Sequence, residues 1–144
     1  MKCSRREVYF WIPALMASHG LAAEAPILSK IVRFEDLPVE SGDGHALRRI
    51  LEGRTHSGYG IEMHETDLAP GAMPHPAHHH AHEEVFLLRE GTLEVTIAGR
   101  ASLLGPGSVA YVASNEEHGI RNAGSTHAQY FVIALGTESL TSAG

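Results

Sequence analysis

Four histidines and two glutamates occupy seven consecutive positions, His78-His79-His80-Ala81-His82-Glu83-Glu84, just ahead of the apolar run Val85-Phe86-Leu87-Leu88. Within them lies the spacing His78-x-His80-x-x-x-Glu84. Side chains two apart on an extended chain share a face, so His78 and His80 can present two imidazoles side by side. Glu84 is far enough along for the chain to turn and return a carboxylate to the same point. Two neutral nitrogens and one anionic oxygen suit a borderline or hard divalent metal ion. A His-rich run also reads as a solvated loop, and composition alone does not separate the two. The elements around the run have to decide.

A chain of 144 residues, 43% hydrophobic and 19% charged, suits one globular domain with a single core. Fifteen glycines and seven prolines, spread along it, favour many short elements joined by turns. The formal net charge of −6 argues against a nucleic-acid partner, which requires a basic face. Of eleven histidines, five fall between His75 and His82, a density that ordinary core packing does not call for.

The first 25 residues read as an address. Lys2, Arg5 and Arg6 form a basic start, Tyr9 to Ala17 a short apolar stretch, and Ala22-Ala23-Glu24-Ala25 a small-residue end. That is the layout of an export signal. The Arg5-Arg6 pair after Ser4 resembles a twin-arginine signal, although Val8 and Tyr9 stand where such signals prefer Phe and Leu. Pro26 argues for a cut a few residues before Ala25. The apolar stretch is too short to span a bilayer comfortably, so no stable membrane anchor is expected. Export would place the protein in the periplasm or outside the cell and remove Cys3, the single cysteine. It would also remove three cations and two anions, taking the formal charge from −6 to −7.

Residues 26–144 read as one domain of short strands. Ile31 to Phe34 and His45 to Leu51 are strand candidates, and Ile61 to Thr66 alternates imperfectly before the Pro70-Gly71 turn. Glu84 to Arg89 is a strand, Glu90-Gly91 a tight turn, and Thr92 to Ile97 alternates with Leu93, Val95 and Ile97 on the buried side. Ala98-Gly99-Arg100 turns the chain, and Leu103-Leu104 leads through Gly105-Pro106-Gly107 to a strand at Ser108 to Val112. His118 to Arg121 and the nearly continuous apolar run Ala128 to Leu135 complete the set. Many short strands with turn signals between them predict an all-β sandwich or barrel.

Two spacings then resemble the cupin family. The first is a Gly ahead of His-x-His-x3-Glu-x6-Gly, met by Gly71, His78, His80, Glu84 and Gly91, with six residues after Gly71 where the family has five. The second is Gly-x5-Pro-x-Gly-x2-His-x3-Asn, met by Gly107, His118 and Asn122, with Ala113 in place of Pro and Asn115 in place of Gly. Asn tolerates the left-handed backbone better than other non-glycine residues, so the second exchange is mild. The similarity covers about residues 59–135 and implies a small antiparallel jelly-roll β-barrel.

Carried over by position, the resemblance implies His78, His80, Glu84 and His118 as metal ligands. His79 should face the other way, His75, His82 and Glu83 should face solvent, and Asn122 should organise a turn. Such a donor set admits Mn, Fe, Ni, Cu or Zn, and affinity order alone favours Cu and Zn. The twin-arginine resemblance implies export of already folded protein, and hence Mn or Fe acquired in the cytoplasm. The leading functional expectation is an exported metal-dependent dioxygenase acting on a small organic substrate, with Glu84 also able to serve as a base. The alternatives are a non-catalytic module binding a metal or small ligand, and a Lewis-acid isomerase or lyase acting on a sugar or keto acid. Glu62, Met63, His64 and Tyr130 are candidate pocket-wall residues. A homodimer is expected, with the early strands Ile31 to Phe34 and His45 to Ile50 adding to a neighbour's sheet edge.

Overall fold

The computed structural model describes residues 25–137 and Leu140. Apart from Ala25, the expected export signal lies outside the described residues. Nine strands follow one another: β1 (Glu40–Gly42), β2 (His45–Arg54), β3 (Gly60–Leu68), β4 (Glu83–Glu90), β5 (Leu93–Ile97), β6 (Arg100–Leu104), β7 (Val109–Val112), β8 (His118–Asn122) and β9 (Ala128–Gly136). They form a six-stranded sheet in the order β1-β2-β3-β9-β4-β7 and a three-stranded sheet in the order β6-β5-β8. Every pairing between these strands is antiparallel. This is the expected all-β jelly-roll arrangement.

The last strand sits at the middle of the larger sheet, between β3 and β4. That position explains its near-continuous apolar composition. Ala128, Tyr130, Val132 and Ala134 are buried, and the residues between them, Gln129, Phe131 and Ile133, are half-buried. One core joins both sheets, with Leu68, Phe86, Leu88, Tyr130 and Val132 from the larger and Leu93, Val95 and Ile120 from the smaller. At about 25 cal/mol per Å² of apolar surface, each such side chain contributes roughly 1.5–3 kcal/mol. On the opposite face of β3 the fully buried carboxylate of Glu65 is held by the Arg48 guanidinium at 2.8 Å, an attraction that offsets part of the cost of its desolvation.

Three departures from the sequence expectations have physical causes. Ile31 to Phe34 is not a strand: Ile31 is 94% exposed and the chain enters a short 3-10 turn at Phe34–Asp36. The Phe34 ring lies beneath the guanidinium groups of both Arg48 and Arg89, at 4.8 and 5.2 Å. The strand at His45 is longer than expected and carries a bulge between Arg49 and Leu51. A bulge inserts an extra residue and reverses the alternation beyond it, which hides the strand from a period-2 reading. The edge strand β6 was not expected as a separate element, because four of its five residues are exposed and show no apolar period. Residues 45–50 lie inside β2, which pairs with β3 along its length and with β1 only at His45, Ala46 and Leu47.

The β4–β5 turn depends on Gly91. Its φ is +84°, and a Cβ there would stand 2.6 Å from the His127 carbonyl oxygen and 2.7 Å from Ala128 Cα. Both obstacles are backbone and cannot swing away. Gly91→Ala is therefore expected to destabilise the fold by about 2–4 kcal/mol, read as a lower urea midpoint at unchanged slope.

Candidate metal centre

The segment between β3 and β4 does not leave the protein surface freely. It is laid along β8 by backbone bonds at both ends. Near its start, Gly71 N–H donates to the Asn122 carbonyl at 3.0 Å and Asn122 N–H returns to Ala72 at 3.0 Å. Near its end, His78 and His118 exchange both backbone bonds, at 3.0 and 2.9 Å, as one isolated antiparallel bridge. Asn115 N–H then donates to the His80 carbonyl at 2.7 Å. Asn115 has φ +61°, the left-handed conformation expected where the family pattern has glycine. Asn122 is fully buried and binds the carbonyls of Leu68 and Thr126 and the amide of Gly124, so it organises a turn as expected.

These bonds bring three imidazoles together. Ring centroids lie 5.2 Å apart for His78 and His80, 4.8 Å for His78 and His118, and 4.9 Å for His80 and His118. A nitrogen from each lies within 4.8 Å of the others. Each ring meets a backbone carbonyl through Nδ1: Pro76 for His78 at 3.3 Å, His82 for His80 at 2.9 Å and Glu116 for His118 at 3.0 Å. An Nδ1–H donating to a carbonyl leaves the Nε2 lone pair of a neutral imidazole free, the usual outer-shell arrangement of a ligating histidine.

Glu84 completes the cluster from β4. Its Oε1 is 3.3 Å from His80 Nε2, and its Oε2 is 3.2 Å from His118 Nε2. His80 Nε2 and His118 Nε2 are nevertheless buried without a hydrogen-bond partner among the described residues. Lone pairs facing carboxylate oxygens at this range repel unless a cation stands between them. The residues present therefore fit a divalent ion, and a His/His/Glu group (His80, His82 and Glu84, all within 4.8 Å) is among those that could hold one.

His79 and Glu83 are exposed, and so is His75, whose ring packs edge-on against His78 at 4.2 Å. His82 corrects its expectation: it is a member of the cluster, with only 26% of its side chain exposed. Its ring stacks on His80 at 3.5 Å, tilted by 9°, and its Nε2 lies 3.3 Å from Glu84 Oε1. The parity of 78, 80, 82 and 84 along the chain was the available signal for it. Burial, and next the positive field of His75, lowers the His78 pKa, while burial and then His80 lower that of His82.

The cluster lines one side of a cavity of about 720 Å³. Phe86, Ile120, Tyr130, Val132 and Ala134 form apolar wall, and β2 and β3 contribute His45, Arg49, Glu62, His64 and Thr66. Glu62, His64 and Tyr130 thus line it as expected. Met63 does not: cavity-facing residues of β3 are the even-numbered ones, and Met63 points to the other face of the sheet. His45 and Arg49 were missed because the cavity-facing positions of β2 ahead of its bulge carry two polar side chains around Leu47, so no apolar period marks that face. Glu62 holds His64 Nδ1 with both carboxylate oxygens, at 2.8 and 3.0 Å. Tyr130 is buried, which pushes its phenol pKa well above the ordinary value.

A two-sheet antiparallel barrel with an imidazole–carboxylate cluster on its cavity wall defines a class of protein that the comparisons name. Residues 64–134 match the family model described as Cupin domain, and the chain belongs to the cupin family. A search of the curated proteins finds no match. Among solved structures, an RmlC-like cupin from Shewanella frigidimarina superposes with a TM-score of 0.64 at 19% identity, covering 78% of this chain and 93% of its own. The polyketide cyclase RemF from Streptomyces resistomycificus gives 0.65 at 20% identity, covering 79% and 83%. A predicted oxalate decarboxylase from Thermotoga maritima gives 0.62 at 19% identity, covering 74% and 99%. At these identities the likeness is one of fold.

The lowered pKa values of His78 and His82 set a pH dependence. A histidine whose pKa is lower in the folded chain binds fewer protons there than in the unfolded chain, so acid favours unfolding. The metal-free protein is expected to lose thermal stability as pH falls through and below 6.5, the ordinary imidazole value. Calorimetric scans from pH 8 to about pH 5 read this, and a flat profile would contradict it.

Proposed function

We propose that this cupin is a metal-dependent enzyme of the dioxygenase type that acts on a small organic substrate held in the cavity, with the ion carried by His78, His80, Glu84 and His118. One observation carries the reading: the buried Nε2 atoms of His80 and His118 have no hydrogen-bond partner among the described residues and face the Glu84 carboxylate at 3.3 and 3.2 Å. When bound, a divalent ion supplies Lewis acidity and open coordination positions for substrate. The carbonyls of Pro76, His82 and Glu116 hold the three imidazoles in the tautomer that binds an ion. Glu84, whose oxygens face the imidazoles of His80, His82 and His118 and which borders the cavity, would take a proton from substrate. Phe86, Ile120 and Val132 give substrate an apolar wall on the other side. The volume, about 720 Å³, suits a small organic molecule.

The test is oxygen consumption by the Mn- or Fe-loaded protein across phenolic and diketone substrates. Turnover that requires oxygen is expected, and Glu84→Ala should lower its rate by about 100-fold or more. The Glu62–His64 pair favours a second reading, Lewis-acid isomerase or lyase chemistry on a sugar or keto acid, because it supplies an oriented imidazole for proton transfer in the same cavity. Turnover under strictly anaerobic conditions selects that reading, and ligand binding without any turnover selects a non-catalytic module.

The proposal includes export, supported by the signal-like pattern of residues 1–25. Folding before export would let the barrel take Mn or Fe in the cytoplasm. Elemental analysis of protein from its native compartment is expected to find one of these, and stoichiometric Cu or Zn would overturn the loading order.

A further inference from the structure

His82 has no place in the four-residue set just described, yet it belongs to the cluster. Two groups of donors share this wall of the cavity. The deep group is His78, His80 and His118, and the outer group is His80, His82 and Glu84, each with donor atoms within 4.8 Å of one another. His118 is 1% exposed, while His82 is 26% exposed and Glu84 14%. The two groups overlap at His80. That ring offers a single free nitrogen, since its Nδ1 meets the His82 carbonyl. Two ions cannot share one lone pair, so occupation of one group by a single ion excludes the other.

We propose that the centre holds one divalent ion in either of two alternative positions, and that His82 is the ligand that creates the outer one. This rests on the metal-binding reading above. The deep position is the four-residue set, three imidazoles with Glu84 Oε2 beside His118. The outer position offers two imidazoles and a carboxylate, the donor set suited to Fe(II) or Mn with several positions left open. Glu84 spans both, with Oε2 toward His118 and Oε1 toward His80 and His82.

The stack describes His82 held in reserve. Parallel rings 3.5 Å apart cannot both point an in-plane lone pair at one ion, so His82 turns about its Cβ–Cγ bond when it binds. The Nδ1 atoms of His78, His80 and His118 each meet a carbonyl, whereas that of His82 has no hydrogen-bond partner among the described residues. In the stacked state its Nε2 faces Glu84 Oε1 at 3.3 Å, a contact that binding through Nε2 would exchange for one to the ion. The His80–His82–Glu84 donors border the cavity, so an ion there presents its open positions to whatever the cavity holds.

The experiment uses the full chain stripped of metal by chelation and titrated calorimetrically with Co2+ and Zn2+. Wild type is expected to bind one ion. Binding of none sinks the metal-binding reading itself, and with it this proposal. The double variant His78→Ala/His118→Ala is expected to keep one Co2+ site, and adding His82→Ala should weaken that site by more than about 100-fold. Equal affinity in the double and triple variants, or binding by neither, overturns the outer position while leaving the metal-binding reading standing. Circular dichroism establishes that each variant folds. Should the double variant not fold, proton NMR of the Co2+-loaded single variant His82→Ala decides. Its hyperfine-shifted imidazole N–H resonances are expected to differ from those of wild type, because the ion is then confined to the deep position. Superimposable spectra overturn the proposal.

Discussion

The reciprocal backbone bridge between His78 and His118 is the constraint on which the rest of the site depends. Three imidazoles can share an ion only if their rings approach within about 5 Å and keep fixed tautomers. Residues forty apart in sequence meet that condition here because the segment before β4 is stitched to β8 as an extra fragment of strand. The bond from Asn115 N–H to the His80 carbonyl fixes the second histidine to the turn that precedes the third. Each Nδ1 contact to a carbonyl then follows from backbone already in place. The bridge thus sets both the distances and the protonation pattern of the cluster.

The sheets serve this arrangement from outside. β8 is held by β5, whose pairing runs from Leu93↔Asn122 to Ile97↔His118. β4 carries Glu84 into the larger sheet between β9 and β7. The carboxylate and the buried His118 therefore come from opposite sheets, and the core of Leu88, Leu93, Val95 and Ile120 maintains their separation. A packed interior transmits small displacements rather than absorbing them, so the core sets the tolerance of the site. The cavity inherits the same asymmetry, with an apolar wall of Phe86, Val132 and Ile120 and a polar wall from β2 and β3. The polar wall explains the weak apolar period of β3: its inward residues Glu62, His64 and Thr66 face cavity, not core.

Legibility in the sequence followed the environment of each segment. β5, between an exposed edge and the interior, alternates cleanly and reads at once. β9 reads as a continuous apolar run because it is central. β2 reads poorly because its bulge reverses parity half-way, and β6 because an exposed edge strand has no buried face to advertise. Phe34 looked like the end of a strand, but the ring is retained as a surface for two arginines. His82 was misplaced for a different reason. The parity of 78, 80, 82 and 84 pointed to it, but burial of a histidine next to others also depends on which way the chain turns between Ala81 and Glu83, which parity alone does not fix.

By itself the sequence determined the fold class, the family and the residues His78, His80, Glu84 and His118 as a related set. Spacing is a covalent property, and two short spacings in one order are enough to specify which side chains can converge. The tertiary structure alone decided how they converge. It left the Nε2 atoms of His80 and His118 buried without partners among the described residues, turned one Glu84 oxygen toward His118 and the other toward His80 and His82, and so brought His82 into the cluster. Those outcomes depend on hydrogen bonds between segments distant in the chain, whose energies compete only after the sheets have closed.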